Sequence, residues 1–171
     1  MDDKERIEQG KFSIQRYDHY YDTVNNKSAF FIGLNTFILG GICTGYVTLY
    51  KEIAFTSWLY FFTGVHLACC LGSILYTLLA MTPFTKDKYS NDNSTSLLFF
   101  GGVAKHTHSH FHQKFLLLDE PTFLEDITKQ IHCLSKGLDQ KFSRLKIASY
   151  FLISQFTLLI PFIYLLIKNL K

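Results

Sequence analysis

A carboxylate, an amide and an ammonium share one strip of a single periodic segment. Asp126, Gln130 and Lys141 lie at helical angles of about 0°, 40° and 60°, given ~100° per residue, and Cys133 and Gly137 fall on the same strip. Such a face can form a polar groove for a small ligand, or a hydrogen-bond ladder between helices of an oligomer. The plain alternative is a solvated face with ordinary charges.

A second cluster is His106, His108, His110 and His112, alternating with Lys105, Thr107, Ser109 and Phe111. On a strand all four share a face; on a helix they pair as 106/110 and 108/112, a metal-ligand spacing. No Cys, Asp or Glu lies inside the run, so it reads as a polar loop that gains charge below its imidazole pKa. His66 and Gln155 are polar residues inside otherwise apolar stretches, where such groups face protein rather than lipid. No phosphate-binding loop, GxSxG, HExxH or paired acid and base occurs. The expectation is a non-enzymatic protein with no cofactor and no metal. Cys43, Cys69, Cys70 and Cys133 have no disulfide or zinc spacing and read as small apolar fillers.

The elements that must position these groups are set by hydrophobicity. Residues 28–50, 53–85 and 147–167 contain no Asp, Glu, Lys or Arg, and a helix needs ~20 apolar residues to cross a bilayer core. The expected fold is an all-α membrane protein. It has an N-terminal amphipathic helix (1–27), spans at 28–50 and 53–81, a cytoplasmic segment (82–146) and a third span (147–168). Lys and Arg number 5 in residues 1–27, 1 at Lys51, 9 in 82–146 and 2 at the C-terminus. Because basic residues accumulate on the cytoplasmic side, residues 1–27 and 82–146 are expected inside. No cleavable signal peptide is expected, and the first span reads as an uncleaved anchor. A formal charge of +3 gives no reason to expect nucleic acid.

Gly33, Gly40, Gly41 and Gly45 in the first span, and Gly64, Ala68 and Gly72 in the second, make small faces. Small faces allow close helix approach, so a hairpin packed through them, or self-association into a homo-oligomer, is expected. Residues 82–95 read as a loop, and Ser96–Val103 as a short strand or a re-entrant or surface-lying segment. From Pro121 onward, Phe123, Ile127, Ile131, Leu134, Leu138, Phe142 and Leu145 recur at steps of 3 and 4. The spacing predicts one helix from about 121 to 168, roughly 70 Å long at 1.5 Å per residue. Such a rod would couple a cytoplasmic event to a membrane-embedded one.

Two blocks carry a family resemblance. One is Tyr17-Asp18-His19-Tyr20-Tyr21-Asp22-Thr23-Val24-Asn25-Asn26-Lys27-Ser28, followed by Gly33-Leu34-Asn35. The other is Ser96-Leu97-Leu98-Phe99-Phe100-Gly101-Gly102-Val103-Ala104, continuing through Glu125–Ile131 and Lys141-Phe142. In this order, with spans between them, they resemble the transmembrane effector domain of bacterial Pycsar antiphage systems. The stretch from acid to Lys corresponds to Asp22 and Lys27. The S-x-x-F-F-G element corresponds to Ser96, Phe99, Phe100 and Gly101, and the D-x-x-x-Q…K helix to Asp126, Gln130 and Lys141. The histidine tract is outside this pattern.

The resemblance implies a membrane effector that answers cyclic CMP or cyclic UMP made by a companion pyrimidine cyclase, impairs the bilayer and aborts infection. Under that reading Lys27, Lys105, Lys141 and Arg144 meet the phosphate by charge-assisted contacts. Phe99 or Phe100 stacks on the base, and Asp126 and Gln130 belong to the ligand set. The rival reading is a defence-associated membrane adaptor or effector responding to a partner protein or another nucleotide signal. A metal-responsive transport accessory would rest on the histidines alone.

Overall fold

A computed structural model describes residues 2–54, 56–83 and 96–170; the loop expected at 84–95 lies outside them. Five helices follow in order: α1 (Asp3–Leu49), α2 (Ser57–Met81), α3 (Phe100–Val103), α4 (His108–Leu116) and α5 (Glu120–Lys168). No strand occurs among the described residues; one isolated bridge joins Ile53 and Leu170. Three of the helices, α1, α2 and α5, are long and apolar enough to cross a membrane.

Local chemistry explains where the long helices begin. At α1 the Asp2 carboxylate accepts the Glu5 amide (2.8 Å), and the Glu5 carboxylate accepts the Asp2 amide (3.2 Å). This reciprocal pairing satisfies two donors that the first turn leaves open. At α5 the Asp119 carboxylate accepts the Thr122 amide at 3.0 Å, and Pro121, having no N–H, suits the first turn. The Thr122 hydroxyl and then its amide hold the Asp119 carboxyl below the usual carboxylate range. The 49 residues of α5 continue through Pro161, which a bundle-packed span tolerates.

The chain divides into two compact units, and α1 and α5 contribute to both. Unit 1 comprises residues 1–22 and 83–139; unit 2 comprises 23–82 and 140–171. In unit 1 the first half of α1 packs on the first half of α5. Ile7 and Ile127 are buried there, and the Tyr21 hydroxyl donates to the Leu134 carbonyl at 3.0 Å. Burial, then the Asp18 charge, then Cys133 raise the Tyr21 pKa. Gly10 sits where a Cβ would collide with the Ile127 side chain, so this glycine sets the approach of the two helices. Ser96–Val103 is not a strand: it is a tight turn leading into the four residues of α3. The histidines lie on and just before α4, with His106 and His110 ring centroids 5.0 Å apart and His108 and His112 6.1 Å apart.

In unit 2 the buried positions repeat every seven residues. On α2 they are Leu59, His66, Ser73 and Ala80, with Cys70 and Thr77 between them. On α1 they are Ser28, Asn35 and Ile42, with Val24 and Ile38; on α5, Lys141, Ala148, Gln155 and Phe162, with Leu145 and Leu152. Seven is the period of left-handed helix packing. Outward side chains such as Phe37, Leu71, Leu75, Ile153 and Ile160 are apolar and exposed. The expected glycine-faced hairpin is not how the spans meet: a Cβ at Gly33, Gly40, Gly41, Gly45 or Gly64 would stand in open space. The heptad positions of larger side chains make the contact instead. Gly72 alone among these span glycines is tightly covered, with the Phe151 ring 2.9 Å from an added Cβ. The α1–α2 connection is tied to the chain's end, the Ala54 amide donating to the Asn169 carbonyl at 2.9 Å.

Two outcomes follow from this packing. Gly10→Val should destabilise the protein by about 1–3 kcal/mol through overpacking against Ile127, whereas Gly40→Val should leave the thermal midpoint in detergent within error of wild type. The protection of the Thr122 amide against hydrogen exchange, relative to an unstructured peptide at the same pH, should hold at neutral pH and fall as pH drops through the lowered Asp119 pKa. The sign follows because a depressed carboxylate stabilises only while ionised.

Candidate functional site

The sequence-expected residues fall into two constellations, one in each unit. In unit 1 the Asp126 carboxylate accepts the backbone amides of Leu97 (2.8 Å) and Leu98 (3.2 Å). The Ser96 hydroxyl accepts the amides of Leu98 (3.1 Å) and Phe99 (3.0 Å). Three successive N–H groups therefore converge on two side-chain oxygens. A Cβ on Gly102 would stand 2.6 Å from the Ser96 carbonyl oxygen, and one on Gly101 would stand 2.6 Å from the Phe99 ring. The S-x-x-F-F-G-G element is thus a turn anchored to α5, and each of its small residues has a steric reason.

What the turn presents is aromatic. The Phe99 and Phe100 centroids are 4.8 Å apart with planes inclined by 54°; Phe99 is half-buried, while Phe100 is 73% exposed, an open face suited to stacking on a planar base. Lys105 is exposed just beyond α3, and Gln130 is half-buried one turn after Asp126. The carboxylate and amide of the expected polar strip are therefore in different situations: Asp126 is engaged by the turn. Just before α4, burial first, then the charges of Lys114 and His110, lower the His106 pKa. Among the described residues no group of three metal-ligating side chains is assembled.

In unit 2 Lys141 and Arg144 come together at the C-terminal end of α2. Lys141 Nζ donates to the Ala80 carbonyl at 2.6 Å. Arg144 Nη1 donates to the Leu79 carbonyl at 2.6 Å and to the Thr82 hydroxyl at 3.3 Å. The last carbonyls of a helix lack intrahelical donors and carry its negative dipole end, so two cations are well matched to them. Lys141 is only 5% exposed. Burial, then the neighbouring Arg144 charge, push its ammonium pKa down. Lys27, one residue before Ser28 on α1, is exposed.

A third arrangement was only half legible in the sequence. Asn35 on α1, Ser73 on α2 and Gln155 on α5 are each fully buried. Asn35 Nδ2 donates to Ser73 Oγ at 3.0 Å and to the Phe31 carbonyl at 2.7 Å. Gln155 Nε2 donates to Asn35 Oδ1 at 2.9 Å and to the Cys69 carbonyl at 3.3 Å, and Ser73 Oγ donates to the Ala148 carbonyl at 3.3 Å. One polar layer thus stitches all three spans. Sequence reading singled out His66 and Gln155, named Asn35 only within the family block and passed over Ser73; the seven-residue spacing of His66 to Ser73 and of Ser28 to Asn35 was the available signal. His66 is fully buried beside Phe162, with ring centroids 6.4 Å apart.

The sequence profile of the family described as the Pycsar effector protein domain matches residues 9–168. No curated relative and no solved structure matches the chain.

The two constellations make separable predictions. Asp126→Ala should leave the Leu97 amide without an acceptor and the Leu98 amide with Ser96 Oγ alone, and limited proteolysis should then cut near Leu97 in the variant well before it cuts wild type. Replacing Lys141 and Arg144 together by Ala should lower unfolding stability in detergent by about 1–3 kcal/mol, chiefly through the orphaned Ala80 carbonyl, since the Thr82 hydroxyl still donates to Leu79, with little loss of helical signal.

Proposed function

The chain belongs to the Pycsar effector protein domain family, an antiphage defence effector with membrane-spanning helices, and from that premise we propose that a cyclic pyrimidine mononucleotide switches it on. The activator is cyclic CMP or cyclic UMP from a companion pyrimidine cyclase. The response is loss of inner-membrane integrity and abortive infection. Residues 1–27 and 82–146 face the cytoplasm in this reading, as the Lys and Arg distribution favours, and the effector acts as a homo-oligomer.

The observation that carries the proposal is the combination of the family match with helix continuity. Helix α5 runs 49 residues without a break from a charged half to an apolar half, and α1 runs 47. A change on the charged part of such a helix reaches the span without crossing a loop. Lys27, Lys105, Lys141 and Arg144 are the proposed phosphate partners, and Phe99 or Phe100 the proposed base-stacking residue. Support for Lys141 and Arg144 is mechanical as well as electrostatic. Both hold the terminal carbonyls of α2, so an anion that drew them away would loosen a span. Gating then requires that the nucleotide bind the loosened arrangement more tightly than the resting one.

The test is reconstitution of the full chain in liposomes carrying a potassium diffusion potential, read with a voltage-sensitive dye. Cyclic CMP or cyclic UMP should collapse the potential, while cyclic AMP and buffer should not. Silence with both pyrimidine nucleotides, or an equal response to cyclic AMP, would refute the proposal. Lys141→Ala and Arg144→Ala proteins that still kill cells on cyclase activation would remove those two residues from the phosphate set.

A further inference from the structure

Polar side chains in a span bundle serve as glue when their atoms are paired. Asn35, Ser73 and the Gln155 amide nitrogen fit that description. Other buried atoms of the same seam do not: Ser28 Oγ, Gln155 Oε1 and both ring nitrogens of His66 have no hydrogen-bond partner among the described residues. Each belongs to a side chain that is fully buried. Leaving such groups unpaired at membrane depth costs several kcal/mol apiece, and helix association gives no return for it.

Their spacing is regular. Ser28 and Asn35 are seven residues apart on α1, as are Ser73 and His66 on α2, and Asn35 and Ser73 are hydrogen-bonded to each other. At 1.5 Å per residue the seam covers about 20 Å of a hydrocarbon core of ~30 Å. Beyond His66 the buried side chains are mainly apolar, the hydroxyls of Tyr46 and Thr63, which pair with each other, and of Thr56 excepted. Leu59, Ile38, Ile42, Ile53 and Phe162 form an apolar cluster, with Tyr46, Leu49 and Phe62 packed on it. Apolar constrictions in series with a polar path close it to ions by excluding water. The exposed faces of the spans are the reverse, apolar outside a polar seam, as a lipid-facing wall requires.

We propose that the three spans enclose a closed conduit for water and small monovalent ions, lined by Ser28, Asn35, Ser73, Gln155 and His66 and shut by Ile42, Leu59 and Phe162. This deepens the membrane-impairing reading by assigning the damage to a path inside the bundle rather than to a defect in the surrounding lipid. Hydration of the opened path supplies the partners that His66 and Gln155 Oε1 lack in the closed one. Lys141, at the α2 terminus, is held on carbonyl oxygens at the end of the seam opposite the apolar plug.

The test needs no nucleotide, so it stands apart from the identity of the activator. Full-length wild type, Leu59→Ser, Phe162→Ala and the milder Ile42→Thr are reconstituted in liposomes that hold both a potassium potential and calcein. Circular dichroism and monodispersity in detergent select the folded variants. Shortened or polar plug residues should speed collapse of the potential about tenfold over wild type while calcein stays inside, because the gate is dewetted only when bulky and apolar. Adding Ser73→Ala and Gln155→Leu to a leaking variant should return the rate to that of wild type. Thr157→Val, on an exposed face with its hydroxyl on the Ile153 carbonyl, should change nothing in the same background. Folded plug variants no leakier than wild type would overturn the conduit, as would calcein loss in parallel with ion loss or a leak indifferent to the seam substitutions. If the plug variants leak as described while cyclic CMP and cyclic UMP do nothing to wild type, the conduit stands and the nucleotide reading falls.

Discussion

Hydrocarbon offers no hydrogen-bond partners, and that single constraint organises unit 2. A polar group carried into the spans is costly unless it finds a partner within the protein. Asn35, Ser73 and Gln155 do so across three helices, and this fixes both the rotation and the height of each helix relative to the other two. A slip of one residue in α2 would turn Ser73 by ~100° away from Asn35. Apolar packing alone would not enforce that register, because leucine against leucine is little different from leucine against lipid tails. The seven-residue repeat supplies the shape of the contact and the polar layer chooses among its registers.

Charge is used in the same way at the ends of elements. Lys141 and Arg144 satisfy the Ala80 and Leu79 carbonyls, and Asp126 satisfies the Leu97 and Leu98 amides. In each case a full charge on α5 meets backbone partial charges of another segment. Such contacts are charge-assisted and stronger than neutral ones, so α5 holds both the end of α2 and the turn before α3. The residues that the family resemblance brings forward are thus built into the architecture. A ligand acting on them would act on the fold.

Glycine has opposite uses at different places in the chain. Gly10 and Gly102 stand where a methyl group would strike Ile127 or the Ser96 backbone. Gly33, Gly40, Gly41 and Gly45 stand on an open side of α1. A small residue is demanded by a neighbour in the first case, and no neighbour within the chain demands it in the second.

The sequence by itself determined the class of protein. Long stretches without charge can only be spans, and a 3/4 repeat that continues from Phe123 into the third such stretch can only be one helix. Those are properties of local periodicity and of the solvent, readable without knowing what touches what. It also flagged Asp126, Lys141, His66 and Gln155 as residues needing an explanation. Only the tertiary structure decided their partners. That Asp126 answers amides 29 residues earlier, that Lys141 answers a carbonyl 61 residues earlier, and that Asn35 and Ser73 complete the layer begun by Gln155, depend on which helical faces meet. Small-residue motifs did not mark the faces that meet within the chain, because GxxxG records only that close approach is allowed. The faces that do meet are set by where buried hydrogen-bonding groups can pair, and pairing is a property of the assembled bundle.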